Sequence, residues 1–223
     1  MPVSEGPNLS GTLVEWPGGH VARPHLLLCE RLAYQRLIPS SQWEEYTYKC
    51  DVAFRGEDHY GVPSPYEYAV VIRRSGPRCL ILASARNIAQ HLISTDLARV
   101  ISPRLVTVSI AVDNLVRKLC QKPTVYVLSF VHARLPAFGA SLRSVSLYGD
   151  DLAEASMFRD HVGLMNFFTC GLRRAVGGPE LLRLGADGTV SFYLTDPHRV
   201  LEVEGVLSFL RQEGYLSGDV LKD

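Results

Sequence analysis

Several things are scarce in this chain, and each scarcity excludes something. Of its 23 basic residues 19 are arginine, so lysine is nearly absent. This reads first as the codon bias of a GC-rich genome. Arginine nonetheless keeps its charge and binds phosphate or carboxylate with a planar fork. The five cysteines (Cys29, Cys50, Cys79, Cys120, Cys170) are scattered and form no C-x-x-C, which removes the zinc ribbon and the thioredoxin-type motif. Each lies among apolar neighbours, as reduced core thiols of an intracellular protein do. No apolar run nears the ~18 residues of a membrane span. The most apolar stretch, 157–176, is broken by Arg159, Asp160, His161, Arg173 and Arg174. The start of the chain lacks the charged and apolar regions of a signal peptide.

Local motifs are also missing. There is no G-x-S-x-G elbow, no P-loop, no G-x-G-x-x-G and no H-E-x-x-H, and the seven histidines show no paired metal spacing. The expectation is no enzyme, no metal and no cofactor. Acids are scarce in one place only. Residues 1–67 carry 5 basic and 9 acidic side chains, residues 68–149 carry 11 and 2, and residues 150–223 carry 7 and 12. The middle segment is strongly basic inside a neutral chain.

What is present reads as an α+β protein with an antiparallel or mixed β-sheet and helices packed mainly on one face. Residues 1–24, rich in proline and glycine, read as a flexible N-terminal arm. Residues 25–216 read as a single globular domain and 217–223 as a short tail. The pattern predicts a short helix over 26–36 and a strand over 46–54. It places a hairpin of 68–73 with 78–83, then a helix over 85–101 ended by Pro103. A strand over 105–112 leads to a short helix over 113–122 with Asp113 as its cap. Strands over 124–132 and 142–148 precede a long helix from 151 to 176. A second hairpin turns at Ala186-Asp187-Gly188, and a final helix opens at Asp196-Pro197.

The candidate binding surface is the basic segment, with Arg73, Arg74, Arg78, Arg86, Arg117, Lys118 and Lys122 as its contact residues. Sharing a face, they would suit an acidic protein partner or nucleic acid. The competing reading packs acidic helices of the last third across them. The densest acid cluster, Asp150, Asp151 and Glu154, fits helix capping better than catalysis, because Asp151-x-x-Glu154 opens a helix. The loop 55–61 holds Glu57, Asp58, His59 and Tyr60. It is the one place where an enzyme site is conceivable, although a solvated turn accounts for it as well.

From Arg55-Gly56-Glu57-Asp58-His59, through Tyr66-Glu67-Tyr68-Ala69-Val70-Val71-Ile72-Arg73-Arg74, to Ser84-Ala85-Arg86-Asn87-Ile88-Ala89-Gln90-His91-Leu92, the chain resembles the small nuclear phosphoproteins of alphaherpesviruses. The resemblance covers about 46–215. It implies a non-catalytic accessory protein of the host nucleus, phosphorylated by kinases, and supplies no catalytic residues. The expected function is therefore that of an intracellular interaction protein with a basic surface. Nucleic-acid binding by the same arginines, or an enzyme site near 55–61, stand as alternatives. Ser4, Ser10, Ser40 and Ser41 are candidate phosphorylation sites, where phosphate would add about −1.5 to −2 charges.

Overall fold

Alternating aromatic and β-branched side chains decide where the strands run. The computed structural model describes residues 9–19, 22–38, 42–52, 66–75, 78–84, 86–121, 125–136, 143–175 and 180–193, with 205 and 208. The fold is α+β and its strand pairs are antiparallel. By backbone contact the described residues divide into two compact units, unit one up to Val108 and unit two from Ser109 to Tyr193 with 205 and 208.

In unit one the strand order is β2 (Leu32–Leu37), β3 (Trp43–Cys50), β4 (Tyr66–Ser75), β5 (Arg78–Ala83) and β1 (Leu9–Glu15), with β6 (Val106–Thr107) also on β1. Period-2 alternation sends Tyr46, Tyr48 and Cys50 of β3 to one face, with Val70 and Ile72 of β4 and Cys79, Ile81 and Ala83 of β5. Two elements cover that face. One is α1 (Arg23–Leu26), through Leu26. The other is the helical run α2 (Arg86–His91), a π-helical stretch Leu92–Leu97 and α3 (Ala98–Val100), through Ile88, Ala89, Leu92 and Leu97. Gly11 marks a close approach: a Cβ there would stand 1.7 Å from the Ile81 carbonyl oxygen.

In unit two the order is β11 (Thr189–Phe192), β10 (Glu180–Gly185), β9 (Asn166–Arg174), β7 (Tyr126–Arg134) and β8 (Ser144–Tyr148). Leu128, Leu172, Leu182 and Phe192 form one cross-strand row, and Val131, Cys170, Leu184 and Val190 the next. All are buried. The helix α4 (Val112–Leu119) lies on β9 and β7, and α5 (Ser156–His161) reaches the same side of β9, with the Phe158 and Phe167 rings 5.9 Å apart. Gly188, at φ 81°, makes the β10–β11 turn that the Asp-Gly pair predicts.

Several expectations are corrected. The arm expected over 1–24 contains β1, whose Leu13 and Val14 are buried between β5 and β6; apolar burial and two ladders hold it in place. The helix expected over 26–36 stops at Leu26, and after turns over 27–31 the chain enters β2, where pairing with β3 outweighs the helix propensity of Leu, Ala, Gln and Arg. The strand expected over 105–112 shrinks to β6. The long helix over 151–176 breaks into a 3₁₀ turn at Leu152–Glu154, α5, a second 3₁₀ turn at Val162–Leu164, and the strand β9. Asn166-Phe167-Phe168-Thr169-Cys170 is better suited to a pleated sheet than to a helix. Asp113 does not cap α4; Ala111 holds that position, and the Asp113 carboxylate binds Arg117 and the Phe167 N–H. The helix expected from Asp196-Pro197, the loop 55–61 and the tail 217–223 lie outside the described residues.

Candidate interaction site

The arginines of the basic segment do not converge on one open face in unit one. Successive residues of a strand point to opposite sides, so Arg73 and Arg74 separate. Arg73 shares the Leu80 side and is buried. Arg74 shares the Cys79 side and binds Glu44. Glu44 is two residues before Tyr46 on the same face of β3, and only 3% of its side chain is exposed. Its carboxylate accepts from Arg23 Nε (2.9 Å) and Nη2, from Arg74 Nε (3.1 Å) and Nη2 (2.7 Å), and from the Tyr46 hydroxyl (2.7 Å). Arg23 also stacks over the Tyr34 ring at 4.1 Å. Burial alone would push the Glu44 carboxyl up; the bonds from Arg23, Tyr46 and Arg74 outweigh it and hold the group below its ordinary value. Burial and the bond to Glu44 push the Tyr46 hydroxyl far up, so it stays protonated and donates.

The remaining sequence candidates scatter. Arg78 binds Glu15 across the β1–β5 ladder at 2.8 Å. Arg117 binds Asp113 one turn back at 2.6 Å, donates to the Val162 and Met165 carbonyls, and lies over the Phe167 ring. Arg86 is exposed at the start of α2 and Lys118 is exposed on α4. Lys122, Ser4, Ser40 and Ser41 lie outside the described residues, as do Glu57, Asp58 and His59. Ser10 is in register with Ala83 in β1, held in the sheet instead of on a free arm. Among the described residues, acids of the first-third strands meet these arginines, Glu44 at Arg74 and Glu15 at Arg78.

A second buried acid, Asp96 in the π-helical stretch, accepts from the Tyr48 hydroxyl and lies 3.7 Å from Arg99. Both carboxylates are ligated by side chains of their own unit, which is the arrangement of structural buried charge. Among the described residues no group of three His, Cys, Asp or Glu is placed to hold a metal ion, and no helix is long and apolar enough to cross a membrane.

Unit two has a cavity of about 370 Å³ lined by Cys120, Tyr126, Leu128, Asp151, Glu154 and Arg159, among others. Asp151 caps the 3₁₀ turn by accepting from the Ala153 N–H at 3.0 Å, the capping role its sequence position predicts. Burial, with the Asp151 charge adding to it, pushes the Cys120 thiol up to about 11. At neutral pH Cys120 is a thiol, a poor nucleophile. The other cysteines are free and buried, as core thiols.

The strand β8 is different in kind. It pairs with β7, and among the described residues no strand lies on its other side. The bonds Leu135 N–H to Arg143 and Gly149 N–H to Ser129 make Arg143 and Gly149 inward-bonded positions of the ladder. Alternation then turns the N–H and C=O of Ser144, Ser146 and Tyr148 outward, to the open edge. Edge strands are normally protected by charge, proline or a bulge. Ser144-Val145-Ser146-Leu147-Tyr148 has none of these and registers with β7 without a shift. Tyr148 is 70% exposed yet held, its ring 4.7 Å from that of Phe130, over which Arg183 stacks at 4.2 Å. Sequence reasoning predicted the strand but not its position at an edge, for which no local signal exists.

Compared with known proteins, the chain matches no family model and no curated protein.

Proposed function

We propose that the protein is a non-catalytic interaction protein that engages a partner chain through the open β8 edge of unit two. The observation that carries this is the outward backbone of Ser144, Ser146 and Tyr148 on an uncharged, proline-free strand. Such an edge binds an added strand through main-chain hydrogen bonds. The basic segment contributes at its end: Arg143 is exposed beside this edge, while Arg74, Arg78 and Arg117 are engaged with acids of their own unit. The test is a titration with an alternating threonine–valine peptide flanked by lysines, followed by amide NMR. Shifts confined to β8 and its β7 partners support the reading; an edge unmoved at ~1 mM peptide, a threshold reachable for weak edge contacts, overturns it. The nuclear phosphoprotein character that the resemblance implies belongs to the same reading. Imaging of the tagged chain and phosphopeptide mapping of Ser4, Ser40 and Ser41 check it.

A second reading has its own observation. Tyr148, His132 and Arg134 share the sheet face opposite the unit-two core, and Arg134 stacks over Phe168 at 4.8 Å. Exposed aromatic and arginine side chains on a sheet are a platform for unpaired bases. Binding of a single-stranded oligonucleotide that falls steeply with salt and is lost in Tyr148→Ala supports it; no binding at low salt removes it.

A further inference from the structure

The partner strand is itself specified by β8, an argument that rests on the edge reading above. We infer that the edge accepts a second copy of this chain, β8 against β8, antiparallel about a two-fold axis at Ser146. The first reason is backbone parity. Only Ser144, Ser146 and Tyr148 present N–H and C=O outward, so a self-pairing must set outward residues opposite one another. The register that overlaps all three places Ser146 opposite Ser146 of the second copy, and Ser144 opposite its Tyr148. A slip by one residue would set inward groups against outward ones and satisfy none.

The second reason is side-chain fit. In this register Val145 of each copy faces Leu147 of the other on one side of the sheet, both half-buried in the single chain. On the opposite side each Tyr148 stands opposite a Ser144 of the other copy, a large ring beside a small side chain. The third is charge. The strand is uncharged, with the exposed Arg143 at one end and beyond the other Asp150, exposed although it also binds Arg173 of its own chain at 3.1 Å. An antiparallel two-fold pairing brings Arg143 of each copy to the Asp150 end of its mate, so opposite charges meet at both ends. A parallel or heterologous pairing would not close in this way.

The contact is small, so the dimer is expected to be weak and concentration-dependent. The experiment uses the full chain. Ser146→Cys, oxidised mildly, is expected to give a covalent dimer, since paired residues across such a ladder have Cα atoms about 5.5 Å apart, within disulfide reach. Ser144→Cys alone should not crosslink, because its like residue is about 13 Å away at four strand residues' offset. The pair Ser144→Cys with Tyr148→Cys should crosslink again. Ser146→Pro removes one outward N–H and leaves the β7 ladder intact, so sedimentation should show the wild type dimerising as it is concentrated and the variant remaining a monomer with unchanged circular dichroism. A wild-type chain that stays monomeric at ~1 mM, together with equal crosslinking of Ser146→Cys and Ser144→Cys, overturns the inference. Should the threonine–valine peptide still shift the β8 amides in that event, the edge reading stands and its occupant is another protein; if neither binds, both fall.

Discussion

The two units handle charge in opposite ways. Unit one buries Glu44, Asp96 and Arg73 beside its apolar core; the buried polar side chain of unit two is Ser129, among the described residues. Unit one surrounds its buried acids with donors from its own strands and helices, so those carboxylates are engaged within the unit. Unit two keeps its core rows aliphatic and aromatic and leaves its outermost strand uncharged. Buried ion pairs are costly to desolvate and favour one arrangement of the chain over others. An uncharged edge does the reverse, since it leaves the pairing of the sheet open to another strand. Unit one thus commits its buried charges to its own structure, while among the described residues unit two leaves the outer backbone of an uncharged strand without a neighbouring strand.

The comparison breaks first at the cores. Leu172 lies in the middle strand of unit two, fully buried between Leu128 and Leu182. Leu172→Ala should cost about 3–4 kcal/mol by denaturant titration, through lost burial and a residual cavity. That loss should be equal at pH 7 and pH 4, because no charge is involved. A pH-dependent loss would show that unit two also leans on ionised groups.

Glu44→Gln in unit one should cost about 3 kcal/mol at pH 7, leaving Arg23 and Arg74 without their buried counter-charge. Here the loss must depend on pH. Glu44 is held below its ordinary value of 4.5, so its contribution is present above that pH and is lost as pH falls through the lower folded value. The deficit of the variant should therefore shrink as pH falls from 4.5 through the lower folded value, where the wild type protonates and comes to resemble it. A deficit constant from pH 7 to pH 3 would mean that the carboxylate charge does not stabilise unit one.

Much of this was legible in the chain, and the remainder was illegible for physical reasons. The hairpins β4–β5 and β10–β11 are signalled by turn residues between alternating runs, a local code. Glu44 could have been found by extending the Tyr46, Tyr48, Cys50 alternation back one step, which places a carboxylate on a core face and so demands donors. The strands β2 and β9 could not, because Leu-Ala-Tyr-Gln-Arg and the apolar run around Phe167 satisfy a helix locally and are decided by distant neighbours. The basic segment misled for a related reason. A count of arginines along a strand says nothing of alternation, and Arg73 and Arg74 leave on opposite faces. Which strand becomes the edge is a property of the whole sheet.

The finest test concerns polar groups that unit one buries without ligation. The Thr12 hydroxyl of β1 is buried and finds no hydrogen-bond partner among the described residues. If unit one is stabilised by satisfied polar groups, one without a partner should contribute nothing or oppose folding. Thr12→Val keeps the shape and β-propensity of the side chain and removes the hydroxyl. It should leave stability unchanged or raise it by up to about 1 kcal/mol, against the large loss at Glu44 on the same sheet face. Measured together by denaturant titration, the two variants separate burial of polarity from its satisfaction. A loss at Thr12 comparable to that at Glu44 would mean that the hydroxyl has a ligand of its own.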